Sequence, residues 1–238
     1  MSYEWLNIAG YWSDFVRAAW LTLQITLLSF VLAMALGLIT ALASASRSRA
    51  LRTLASIYIE AIRNTPVLLQ IFIVFFGLPS LGITLNAYTA GVIALGVNVG
   101  AYLAEVFRAG IQSVPRGQLE AASILGLSRQ QIFVEVVLPQ AARAVYPAIV
   151  NNLIQLLLGT SLLSAIALPE LSGTATVINA RTLLYIQTFA ITLVAYLVLS
   201  NLLSWVAGLI GARVFHPPLV IKKPTRRPLF LARQADRT

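Results

Sequence analysis

Five long apolar runs constrain this chain more than any other feature. They cover about residues 18–44, 54–78, 88–113, 144–168 and 183–212. The hydrocarbon core of a bilayer takes about 20 apolar residues as a helix, and each run is long enough. Composition agrees: 58% of residues are hydrophobic and only 11% are charged, against about 25% charged in soluble domains. Mean hydropathy is +0.83. The expected fold is an all-α membrane protein with five transmembrane helices in one domain, residues 18–213. Residues 1–17 form an N-terminal segment and 214–238 a basic tail.

The net charge is +9, and where the charge sits decides what it means. With the N-terminus outside, the first inner loop holds Arg47, Arg49 and Arg52. The second holds or adjoins Arg108, Arg116, Arg129 and Arg143, and the tail holds Arg213, Lys222, Lys223, Arg226, Arg227, Arg233 and Arg237. Only Arg17 and Arg181 then lie outside, with Arg63 inside a span. Basic residues collect on the cytoplasmic side of membrane proteins, so the pattern predicts N-out, C-in. It accounts for the positive charge without nucleic acid, and it lets the tail touch anionic lipid. Tyr3, Trp5, Tyr11 and Trp12 precede the first span and predict a short helix at the outer interface. Glu4 and Asp14 with no Lys or Arg in the first 15 residues argue against a cleavable signal peptide. There are no cysteines, which excludes thiolate chemistry and disulfides.

Between spans three and four lies EAASILGLSRQQI, residues 120–132. Pro115 opens a helix of about two turns over 118–125, and Gly126 suits the left-handed end of that helix. Ser128 caps a second helix, with Gln131 placed to complete a capping box. That second helix runs toward Pro139 and Pro147, which are expected to break or bend it. Ala121 and Ala122 are small enough for a partner to approach closely. The corner also has the shape of a DNA-reading helix-turn-helix. That reading needs a solvated domain with a free recognition helix, and this loop has neither the room nor the phosphate-binding charge.

The stretch GQLEAASILGLSRQQIFVEVVLP resembles the loop signature of bacterial ABC importer permeases. Glu120, Ala121, Ala122, Gly126, Leu138 and Pro139 stand at its positions, with Val136 where the family has Ile. EAIRNTPVLLQIF (60–72), GAYLAEVFRAGIQSVPRGQLEAA (100–122), LPQAARAVYPAIVNN (138–152) and GTSLLSAI (159–166) resemble the polar amino acid branch. The resemblance covers about residues 20–210. It implies a permease subunit of an ATP-driven importer in the bacterial inner membrane. Such a subunit forms the path for a polar amino acid or close relative delivered by a periplasmic binding protein. It implies a coupling helix with Gly117, Glu120, Ala121, Ala122 and Gly126 seated on a separate ATPase dimer, and a second permease, identical or homologous. ATP and Mg would belong to the ATPase, and this chain would bind no cofactor. The family often carries Lys where this chain has Leu158, so a polar role there does not transfer.

The sequence contains no phosphate-binding G-x-x-x-x-G-K-[ST]. The lone His216 has no partner in sequence, and the acids form no metal-like cluster, so the chain is not expected to be an enzyme. Polar residues inside apolar spans are costly and become the candidates for a path. Glu60 and Arg63 share a helix face and are expected to pair. Asn64, Thr65 and Pro66 follow, and Pro66 frees the carbonyl near residue 62. Gln70, Asn98, Asn152, Gln155, Thr160 and Ser161 complete the path candidates, although such groups also join helices. Glu105 and Arg108 form another pair nearer the cytoplasm. Gly96 and Gly100 make a G-x-x-x-G for close helix packing. The alternative function is a secondary transporter or channel using Glu60 or Glu105. A membrane-tethered DNA-binding protein is the remaining one.

Overall fold

The computed structural model describes residues 2–215, and side chains from residue 5. His216 and the basic residues of the tail lie outside the described residues. Every regular element among the described residues is helical. Four helices are long and apolar enough to cross a membrane: α2 (Trp12–Ser44), α5 (Ala87–Gln112), the continuous Arg129–Ile166, and α10 (Tyr185–Val214). α1 (Ser2–Ala9) precedes them and buries Ile8 against α10 and its neighbours.

The run expected as the second span is not one helix. It divides into α3 (Arg49–Arg63) and α4 (Val67–Phe72), and the α4 axis continues through a wide turn and a tight one to Leu81. The two halves meet at 106°. The cause is Asn64-Thr65-Pro66. Pro66 has no amide hydrogen and sits extended at ψ 130°. Counted as a broken span, the pair brings the total to five.

Prolines act differently further on. The second helix of the corner does not break at Pro139 or Pro147. It runs from α7 (Arg129–Gln131) through a wide π-helical turn, Ile132–Val137, into α8 (Leu138–Gly159). The wide turn ends where Pro139 enters, so the missing amide falls at a point where the hydrogen-bond ladder is already shifted. A tight turn, Thr160–Ile166, then leads to α9 (Leu171–Thr182), a short helix that strides between two spans.

α2 and α5 form the centre of the bundle. Gly37 of α2 lies against Leu103 and the backbone of Gly100, and Gly96 lies under Leu32. A Cβ at Gly37 would sit 2.8 Å from the Leu103 Cβ. The G-x-x-x-G of α5 therefore packs inside the chain. Tyr58 of α3 donates to the Val97 carbonyl at 2.6 Å and fixes α3 beside α5.

Candidate functional site

The corner is built almost wholly from local rules. α6 (Arg116–Ile124) begins after Pro115. At its end Leu127 N–H donates to the Ala122 carbonyl and Gly126 N–H to Ser123, the paired bonds of a Schellman stop. Gly126 takes φ +82°, a value that a side chain resists. Ser128 Oγ then accepts from Gln131 N–H, and Gln131 Oε1 accepts from Ser128 N–H at 2.9 Å. The capping box read from sequence is present.

What the corner shows to its surroundings differs in one respect from expectation. Gly117, Glu120 and Ala121 are exposed, but Ala122 is only 5% exposed and faces its own chain. It is therefore not a surface for a partner. The large apolar surface lies one turn away, at Ile124 (86% exposed) and Leu125 (80%). Two neighbouring aliphatic side chains this exposed mark an interaction surface.

A polar cleft of about 530 Å³ lies beside α3 and α5. Arg52, Glu60, Arg63, Glu105 and Arg108 line it, with Ser44 and Ser56. The expected Glu60–Arg63 pair is not formed among the described residues. Arg63 instead turns to Glu105 at 3.8 Å and stacks over the Tyr102 ring at 5.3 Å. Arg108 holds the same Glu105 with two bonds, of 2.6 and 3.0 Å. Shared helix spacing brought Glu60 and Arg63 to one face, but a carboxylate on the neighbouring helix, already oriented by Arg108, wins the guanidinium. Glu60 lines the cleft with no ion pair among the described residues.

The elbow between α3 and α4 gathers the next candidates. Gln70 Nε2 donates across the break to the Ile62 carbonyl at 2.9 Å, the group that Pro66 leaves unpaired. It also reaches Thr65 Oγ1 at 2.8 Å. Asn98 of α5 donates to Gln70 Oε1 at 2.9 Å. Gln70 and Asn98 therefore brace the elbow, and their amides face each other rather than an open path. Asn64 is exposed at the turn. On α8, Gln155 is exposed, and Asn152 bonds its own helix at Ala148. Thr160 is fully buried and donates to the Leu157 carbonyl, so it lines no open path in this conformation. Ser161 is half-buried and donates to Leu158.

Sequence reasoning missed Glu170. It is fully buried and caps α9. Its Oε1 accepts from Gly173 N–H at 2.7 Å and its Oε2 from Ser172 N–H at 2.9 Å. Tyr196 of α10 donates to Oε2 at 2.6 Å. Burial pushes its carboxyl pKa upward, and the three donors pull against that shift. Leu171 N–H bonds Thr22 of α2 at 3.2 Å, which ties the same cap to a second span. The available signal was Pro169-Glu170 between two apolar runs, a helix start with an acid at its cap.

A bundle of long apolar helices, one broken at a braced elbow and one leading from an exposed capped corner, defines a multi-pass membrane transport subunit. The family described as "Binding-protein-dependent transport system inner membrane component" matches residues 33–216. The chain belongs to this family and is a permease subunit of an ABC importer. It is 41% identical over 210 residues to the L-cystine transport system permease protein TcyB of Bacillus subtilis (strain 168), across 86% of this chain and 88% of that protein. It is 37% identical to the probable glutamine ABC transporter permease protein GlnP of the same organism, across 76% and 81%. Among solved structures, the crystal structure of an amino acid ABC transporter with histidines superposes with a TM-score of 0.83 at 35% identity, covering 88% of this chain and 98% of that one. The MetNI methionine ABC transporter in its inward-facing form shares the fold, with a TM-score of 0.72 at 21% identity over 87% and 98%. Neither secondary transport through a lone glutamate nor DNA reading finds support. Glu105 is held by two arginines, and the corner leads straight into a span.

Proposed function

We propose that this chain forms half of the path by which an ATP-driven importer passes a polar amino acid, or a close derivative, through the bacterial inner membrane. A periplasmic binding protein delivers the substrate, and a second permease completes the path. An ATPase dimer, holding ATP and Mg, docks on α6 from the cytoplasm. The N-terminus lies outside and the corner inside, as the distribution of arginines favours. The chain itself hydrolyses nothing.

The observation that carries this reading is the exposed corner. Gly117, Glu120, Ala121, Ile124 and Leu125 present one polar and one apolar strip on a helix that starts after Pro115, stops at Gly126 and is followed at once by the capped start of the next helix. Such a helix moves as a rigid piece, so a push on α6 passes into the continuous Arg129–Ile166 helix. The relatives carry the substrate class, since cystine and glutamine are named for two of them. The cleft of Glu60, Arg63 and Glu105 supplies both signs of charge that a zwitterion needs. Motion alone moves nothing unless substrate binds the two exposures differently.

Affinity purification from native membrane in mild detergent tests the docking role. The wild type should bring down a P-loop ATPase, and Glu120→Arg should lose it while melting at the same temperature. A wild-type chain that arrives without an ATPase, under conditions that keep a known ABC complex intact, overturns the reading.

A further inference from the structure

Of the charged side chains in the cleft beside α3 and α5, three are engaged within the chain and two are not. Arg52 donates to the Ser46 and Arg47 carbonyls, both at 3.0 Å, and so closes the loop between α2 and α3. Arg108 takes both oxygens of Glu105 and also reaches Gln112 Oε1 at 3.4 Å. Glu60 and Arg63 remain. The Glu60 carboxylate has neither an ion pair nor a hydrogen bond among the described residues. Arg63 has the long contact of 3.8 Å to an acid that Arg108 already holds, and it lies over the Tyr102 ring. Neither contact is a hydrogen bond, so the guanidinium donors are unused among the described residues, and the side chain is 41% exposed.

Both residues are on α3, three positions apart and therefore on one face, in the last turn before the elbow. A charge on a spanning segment faces water or an opposite charge rather than lipid. One unpaired anion and one underused cation, side by side but not touching, are the reverse of what an α-amino acid carries. Its ammonium and carboxylate branch from a single carbon, so one molecule can meet both. A simple anion or a simple cation would satisfy one residue and be repelled by the other. The rest of the lining narrows the side chain. The Ser44 and Ser56 hydroxyls face the cleft with no hydrogen bond among the described residues. A neutral polar side chain finds partners there. A charged one finds no counter-ion, because Arg52, Glu105 and Arg108 are already engaged.

We propose that Glu60 and Arg63 form a subsite for the zwitterion of a neutral polar amino acid. Glu60 accepts from the ammonium, Arg63 donates to the carboxylate, and Ser44 and Ser56 meet the side chain. Arg63 exchanges its distant contact with Glu105 for a direct charge-assisted bond, while Arg108 keeps Glu105 in place. The inference rests on the reading of the chain as an amino acid permease and deepens it. It assigns the two charged ends of the substrate to two residues, and it selects against substrates with a charged side chain.

Equilibrium binding of radiolabelled amino acids to the purified importer in nanodiscs, with no binding protein present, tests it. The probes are L-glutamine, L-asparagine, L-serine, L-glutamate and L-arginine. The wild type should prefer one of the three neutral probes. That probe should in turn bind about tenfold or more tighter than its α-amide, which lacks the carboxylate, and than its N-acetyl derivative, which lacks the ammonium. Arg63→Gln should weaken the parent probe and abolish discrimination against the α-amide. Glu60→Gln should do the same for the N-acetyl derivative. Glu60 has no partner to lose within the chain, so Glu60→Gln should melt as the wild type does. A purely structural brace would lower all ligands together and leave the discrimination unchanged. That result, or wild-type affinity in both variants, overturns the subsite and leaves the permease reading standing. Preference for L-glutamate or L-arginine overturns the neutral class. A wild-type importer that keeps its ATPase but binds none of the five overturns the subsite and the amino acid reading together.

Discussion

At one end of the bundle Glu170 is fully buried and gives both carboxylate oxygens to α9 and Tyr196. At the other, Ser128 and Gln131 cap each other in the open, and Ile124 and Leu125 stand clear of the chain. Both ends use a cap after a turn, but the surroundings invert its consequence. Left-handed residues show the same contrast. α9 is flanked by Ala167 at φ 58° and Leu183 at φ 57°, side-chain residues held in a conformation that favours glycine. The corner uses Gly126, which adopts its turn freely. The strap of α9 is thus held by tertiary packing that overrules local preference. The corner holds its shape by itself and keeps its outer surface free.

The contrast can be broken at its strongest point first. Glu170→Ala orphans two backbone amides and a tyrosine hydroxyl in a buried place. It should lower stability by about 3 kcal/mol or more, read as an earlier thermal transition in detergent. Glu170→Gln keeps one acceptor oxygen and should fall between. An unchanged melt for Glu170→Ala would show that the strap does not depend on its cap. Gln70→Leu removes the brace of the elbow and exposes the Ile62 carbonyl, for about 1–3 kcal/mol. The loss should be shared with Asn98→Leu, so that the double variant costs less than the two single losses added. Ser128→Ala, at the exposed end, should cost about 1 kcal/mol, and hydrogen exchange should quicken at Gln131 while the α9 amides keep their protection. If Ser128→Ala loosened α9 as well, the two ends would not be independent.

How much of this was legible in the sequence follows the same division. The corner was readable in detail, because Gly126, Ser128 and Gln131 act on neighbours a few residues away. The apolar runs were readable, because bilayer thickness imposes length directly. Pro66 and the carbonyl that it frees were readable, although the brace across the 106° bend was not, since Asn98, which holds Gln70 there, comes from a neighbouring helix. Side-chain partners across helices were the least accessible. Glu60 lost Arg63 to Glu105 because α5 lies beside α3, a fact that no spacing within α3 encodes. Ala122 was read as outward because its size suits a partner, yet that size equally suits the inward contact it makes. Glu170 escaped because an isolated acid between two spans has no periodic companions. Its partners, Thr22 by way of Leu171 and Tyr196, come from the first and last long helices.

The central claim is that the exposed face of α6, and not its buried face, receives the ATPase. The chain has no cysteine, so single cysteines report one position each. We would place one at Ala121 and one at Ala122, adjacent in sequence but opposite in exposure, and treat native membranes with a short thiol-to-amine cross-linker. The account predicts that Ala121→Cys captures an ATPase subunit and Ala122→Cys does not, with both chains present in equal amount. Capture from Ala122→Cys alone, or from neither while the importer remains assembled, would contradict it.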